Sequence, residues 1–131
     1  MLKIDSPLTA QTEQLISRVI GCAIEVHKAI GPGFAESIYK RALCIEFDAS
    51  GVPYDCERVV RLLHRGQPLG TFRLDVLVGN EVVVEVKSVE RLLEVHRVQI
   101  RQYMRVSNIR AGLLMNFNVP VLPDGLKRFV L

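Results

Sequence analysis

Asp75, Glu85 and Lys87 are the residues of this chain whose types and spacing best suit a chemical role. They stand in two runs that are otherwise largely apolar, Phe72-Arg73-Leu74-Asp75-Val76-Leu77-Val78 and Val82-Val83-Val84-Glu85-Val86-Lys87. Side chains alternate along a strand, so Glu85 and Lys87 share a face with Val83, and Val82, Val84 and Val86 share the other. A Glu-x-Lys triplet at a strand end is, by itself, equally well explained as a surface ion pair. The acid in the neighbouring run changes the reading. Two carboxylates on adjacent strands suit a hard divalent cation such as Mg²⁺, which takes oxygen ligands and keeps several waters. Such an ion polarises a phosphate and acidifies a bound water. Lys87 then has two roles, orienting that water and neutralising charge that builds on the phosphate.

Register decides whether the two acids cooperate. A two-residue turn at Gly79-Asn80 sets Asp75 opposite Val84 and sends Asp75 and Glu85 to opposite faces. A shared site requires an odd number of residues in the connection, or a bulge, and one of these is expected. A helix over 92–106 carries further polar groups. At about 100° per residue, Leu92, Leu93, Val95, Ile100, Met104 and Val106 define an apolar arc with His96, Gln99 and Tyr103 near its middle. Glu94, Arg97, Arg101 and Arg105 share the opposite face and read as solvated. Buried amides and hydroxyls need partners, at about 1–3 kcal/mol each if unpaired; a structural network and a functional site both meet that need. Glu36 shares the stripe of Leu43 and Phe47 near a helix start, where the dipole favours a carboxylate. Taken singly it is an ordinary helix-start glutamate, and His27 reads as a structural histidine.

Periodicity predicts the elements that hold these residues. Helices are expected over 9–30, capped by Thr9 and stopped at Gly31-Pro32-Gly33, and over 35–48, ending before Ser50-Gly51-Val52-Pro53. Strands follow over 57–63, 71–78 and 82–87, then the helix at 92–106, a strand over 111–117 and a short last one over 127–131. The order α-α-β-β-β-α-β implies an α/β fold with a central mixed sheet flanked by helices.

At 131 residues and 14.7 kDa the chain fits one domain, residues 1–131 with a core over about 9–131. Its 49% hydrophobic and 24% charged residues exclude disorder, and no run reaches the roughly 20 apolar residues of a membrane span. Cys22, Cys44 and Cys56 are odd in number and far apart in sequence, which argues against a disulfide framework or a structural zinc. With no secretory leader visible at MLKIDSPLTAQTEQ, a reduced cytoplasmic protein is expected. Residues 1–56 hold five Lys/Arg against seven Asp/Glu, and 57–131 hold twelve against seven. The basic C-terminal part is compatible with a polyanionic partner or with an ordinary solvated surface.

Gly33-Phe34-Ala35-Glu36-Ser37-Ile38-Tyr39 resembles the signature of the GxxExxY protein family, as do Ile24-Glu25-Val26-His27-Lys28 and Asn116-Phe117-Asn118-Val119-Pro120. That family in turn resembles the PD-(D/E)xK nuclease superfamily. The resemblance implies that Asp75 is the first acid, that Glu85-Val86-Lys87 is the E-x-K, and that Gln99 and Tyr103 form the helix motif of the RecB-like and Cas4-like branch. It further implies an upstream acid, Glu36, and metal ligation by the Val86 carbonyl. Leu74 stands where the motif's proline is found.

The expected activity is metal-dependent hydrolysis of phosphodiester bonds, most simply in DNA, with Mg²⁺ or Mn²⁺. Asp75, Glu85, Val86 and Glu36 are then the candidate metal ligands, and Lys87, Gln99 and Tyr103 complete the catalytic set. The alternative is a non-catalytic nucleic-acid-binding or scaffold protein that keeps the nuclease fold. A small phosphate ester or RNA is a third possible substrate. With 6% aromatic residues and no tryptophan, contacts to a phosphate backbone are expected rather than base readout. A homodimer or a separate partner protein would be needed for sequence-specific cleavage, and no membrane association is expected.

Overall fold

The computed structural model describes residues 6–131. Thr9 caps the first helix, α1 (Ala10–Ile30), by accepting the Thr12 N–H at 3.1 Å. The stripe Leu15, Val19, Ala23 and Val26 is buried, as its spacing requires. Gly31, at φ 71°, ends the helix, and its N–H returns to the His27 carbonyl. The second helix, α2 (Glu36–Ser50), buries Tyr39, Leu43, Cys44 and Phe47 and is closed by Gly51 in the left-handed region.

Three strands follow, β1 (Tyr54–His64), β2 (Gln67–Val78) and β3 (Val82–Lys87). Helix α3 (Glu94–Ser107) then crosses over to β4 (Ala111–Asn116), and a short 3₁₀ turn (Leu122–Gly125) leads into β5 (Leu126–Val130). The strands lie in chain order, with β3 and β4 parallel and the other neighbours antiparallel. Helix α3 supplies the crossover that a parallel pair needs.

Helices cover both faces, which is why β3 is apolar on both sides. Val76, Val78, Val82, Val84 and Val86 pack with α1 and α2; Leu77, Val83 and Leu114 pack with Ile100 and Met104 of α3.

Two expectations change. The β1–β2 hairpin is longer than the 57–63 and 71–78 segments, because Arg65 (φ 51°) and Gly66 (φ 79°) make a two-residue turn between His64 and Gln67. Pro68 is accommodated where the register slips beside Leu62 and Leu63. The apolar arc of α3 is also narrower than predicted. The helix begins at Glu94, buries Ile100 and Met104, and leaves Leu93, Val95 and Val98 exposed.

Candidate active site

The connection between β2 and β3 has three residues, Gly79-Asn80-Glu81, so Val78 pairs with Val82 and Val76 with Val84. Gly79 (φ 56°) and Asn80 (φ 55°) supply the left-handed conformations the turn requires, and the Glu81 N–H bonds the Val78 carbonyl at 2.9 Å. The odd count required by a shared site is therefore present. It sets Asp75 level with Glu85.

Beyond Val76 and Val84 the β2–β3 ladder stops and the strands part. Asp75 fills the fork. Its Oδ2 accepts the Val86 N–H at 3.0 Å, while Glu85 Oε1 accepts the Asp75 N–H at a longer 3.4 Å. The Lys87 carbonyl bonds Phe117 N–H on the β4 side at 2.9 Å. Strand alternation turns the Val86 N–H and C=O to the opposite edge, into the fork beside Asp75.

Glu85 is buried at 3% exposure. Burial first, and the neighbouring Asp75 charge second, raise its carboxyl to about 8, with Lys87 opposing that rise. Two carboxyls thus sit together at the fork. An oxygen donor set of two acids and one free-edge carbonyl fits a hard divalent cation that retains waters. Among the described residues no three His, Cys, Asp or Glu side chains gather to hold a metal.

Glu36 does not gather with Asp75 and Glu85 into a metal-holding cluster among the described residues. It opens α2, and Lys40, one turn further on, is the α2 side chain that reaches the fork. Lys40 Nζ lies 3.2 Å from Asp75 Oδ1 and 2.6 Å from Glu57 Oε1. Burial disfavours the Lys40 charge, but Glu57 and Asp75 outweigh it and hold the ammonium above its ordinary range. Glu57 itself adopts φ 57°, a left-handed conformation uncommon for such a residue, where the β1–β2 pairing skips the position opposite Asp75. Sequence reasoning missed both residues. Lys40 lies one turn after Glu36 on the same face, a signal that was available; the backbone of Glu57 left none.

From α3, Gln99 donates to the Tyr103 hydroxyl at 2.9 Å, and Phe72 meets Tyr103 edge-on at 5.7 Å. Tyr103 is raised by burial and by the charges of Glu85 and Asp75, which places its hydroxyl in the field of the acid pair. Gln99 and Tyr103 are half-buried rather than buried, and they satisfy each other. His96 stands apart from them, because its Nδ1 accepts the Leu93 N–H at 3.0 Å and caps α3.

The remaining motif residues build the frame. Tyr39 is fully buried, donates to the Gly31 carbonyl at 2.5 Å, accepts Phe34 N–H at 3.2 Å and stacks on Phe117 at 4.6 Å. His27 Nε2 lies 2.8 Å from the Val119 carbonyl. Asn116, buried and absent from the predicted site, bonds both the N–H and the C=O of Val89 (3.0 and 2.9 Å) and so fixes the segment after Lys87.

An α/β sheet forked at an acid pair, with an E-x-K strand and a Gln-Tyr helix beside it, defines a class of nuclease-like domains. A family model described as the PD-(D/E)XK nuclease superfamily matches residues 13–129, and the chain belongs to that superfamily. No curated protein and no solved structure matches it.

Proposed function

We propose that this chain is a metal-dependent nuclease that hydrolyses phosphodiester bonds in DNA, acting in the cytoplasm. The observation that carries the reading is the convergence of Asp75 and Glu85 at the β2–β3 fork, with Lys87 on the same strand and Gln99–Tyr103 beside them. In this reading Asp75, Glu85 and the Val86 carbonyl hold Mg²⁺ or Mn²⁺, and Glu36 contributes through water. The bound ion supplies Lewis acidity to the phosphate and a more acidic water. Lys87 orients that water and offsets charge on the phosphate, and Gln99 and Tyr103 position the lysine or a phosphate oxygen.

The β1–β2 hairpin supports a polyanionic substrate. Residues 58–74 hold Arg58, Arg61, Arg65, Arg73 and His64 with no acid, and much of this arm extends past the end of the β2–β3 ladder. Among the described residues Arg61, Arg65 and Arg73 make no ion pair, which leaves them for phosphates. No helix among the described residues is long and apolar enough to cross a membrane. In this reading a second copy of the chain or a partner protein supplies any sequence specificity.

One observation favours a non-catalytic scaffold: Lys40 already neutralises Asp75. A cleavage assay on labelled single- and double-stranded DNA separates the readings, run with Mg²⁺, Mn²⁺ or chelator. The nuclease cuts with metal, is silent with chelator, and loses its activity in Lys87→Ala. Absence of cutting together with absence of divalent-ion binding by calorimetry assigns the scaffold.

A further inference from the structure

Cys44 and Cys56, distant in sequence, come together in space. Cys44 lies on the buried face of α2 and Cys56 on β1, and their Sγ atoms are 2.6 Å apart with both thiols free. The distance in sequence that argued against a disulfide framework does not keep this pair apart in space, although both thiols are free. Both line an open groove of about 470 Å³ between α2 and β1, together with Lys40, Arg41, Tyr54 and Glu57. The groove joins the site at one end, since Lys40, which lines it with its partner Glu57, also pairs with Asp75. Cys22, the third cysteine, is buried within α1 and does not line it.

We propose that this groove is a thiol–disulfide exchange site for an anionic low-molecular-weight disulfide of the glutathione type, which oxidises Cys44 and Cys56 to a reversible bridge between α2 and β1. Three features carry this. The sulfurs already point at each other, and a bond length of about 2.05 Å requires only a small side-chain movement. Cys56 is exposed and open to attack on a soluble disulfide, whereas Cys44 is buried. Arg41, exposed on the groove and without an ion pair among the described residues, offers a cation to the carboxylates of the incoming molecule.

The order of events follows from the two environments. Cys56, as thiolate, attacks the soluble disulfide, forms a mixed disulfide and releases one thiol. Cys44 then loses its proton and attacks the Cys56 sulfur, and the second thiol departs. The protein gives up two electrons and two protons, and the soluble disulfide becomes two thiols. Burial, the largest cause, raises the Cys44 thiol and persists once Cys56 is in the mixed disulfide, so the second step is the slow one and the mixed disulfide accumulates briefly. The bridge ties Cys44, one turn after Lys40, to Cys56, the neighbour of Glu57. The proposal does not depend on nuclease activity.

The test uses the full chain, reduced and freed of reductant, then exposed to oxidised glutathione and quenched in acid. Intact mass is expected to show a transient single glutathione adduct that gives way to loss of two hydrogens. A non-reducing peptide map is expected to join Cys44 to Cys56, with Cys22 still alkylatable. Cys44→Ala is expected to trap the adduct on Cys56, and Cys22→Ser to change nothing. Arg41→Ala is expected to slow the reaction with oxidised glutathione about threefold or more and to leave that with neutral 2-hydroxyethyl disulfide unchanged. A bridge involving Cys22, a permanent adduct on wild type, or three alkylatable thiols at excess oxidant overturns the bridge. Equal slowing with both disulfides overturns the anion site.

Discussion

Glu85 ties the chemistry of the site to pH. Its carboxyl is near 4.5 in the unfolded chain and is raised to about 8 when folded, so the folded state holds the proton more tightly. The associated stability is complete below pH 4.5 and is lost as pH rises towards 8. Melts in chelator are therefore expected to fall across that window, and Glu85→Gln to flatten the fall. Affinity for Mg²⁺ is expected to climb over the same window, because the ion displaces that proton. Lys40 is the second residue with a sharp consequence, since its ammonium competes for Asp75. Lys40→Met is expected to tighten Mn²⁺ binding about fivefold, the equivalent of ~1 kcal/mol for a part-exposed pair, as read by calorimetry. Asp75, Glu85 and Lys87 were legible because alternation along a strand assigns faces without knowledge of the fold. Glu57 was not, since a backbone twist there is announced by no residue type, and Lys40 showed only as a residue on the face of Glu36, its ion pair with a strand depending on how α2 packs.

At the scale of elements, local rules carried far. Thr9, Gly31 and Gly51 ended their helices where capping chemistry says they should. The β1–β2 hairpin was underestimated because its turn rests on Arg65, which is not a residue that favours positive φ, and because Pro68 normally ends strands. The longer hairpin becomes an arm with three uncommitted arginines. Replacing Arg61, Arg65 and Arg73 by Ala is expected to weaken DNA binding uniformly across sequences. The slope of log affinity against log salt is expected to shallow by about 2–3, with an unchanged melting temperature, as measured by fluorescence anisotropy at several salt concentrations. Helix α3 misled for the opposite reason. Its apolar residues outnumber those the sheet can cover, so Val95 and Val98 remain outside while Tyr103, held by Gln99, lies in the field of the acids.

For the molecule as a whole, two apolar layers sandwich the sheet, and polar ties join segments distant in the chain. His27 to Val119, Tyr39 against Phe117 and Asn116 to Val89 hold the rim from which Lys87 projects. At the other side Arg128 of β5 grips Glu13 of α1 with both guanidinium nitrogens, one at 2.8 Å. The hydrogen bonds from Arg128 and Ser6 hold the Glu13 carboxyl down at about 2. A depressed acid stabilises the fold above its unfolded value of 4.5, and that contribution is lost as pH falls from there towards 2. Glu13→Gln is expected to lower the melting temperature at pH 7 by a few degrees at most, since the pair is part-exposed, and to make little difference at about pH 2.5.

The three-residue link Gly79-Asn80-Glu81 does more than reverse the chain. Val76, Leu77 and Val78 face Val84, Val83 and Val82, all apolar on both sides of the sheet. A slip of one place between these strands exchanges one valine or leucine for another along the paired stretch, but turns one of the two acids to the opposite face of the sheet. The parity of the link sets the two acids in phase, and the hydrogen bonds at the fork hold them there. Under the proposed function, deleting Asn80 is thus expected to give a protein with near-native circular dichroism and no divalent-ion binding, a lesion of counting in which every candidate residue is still present.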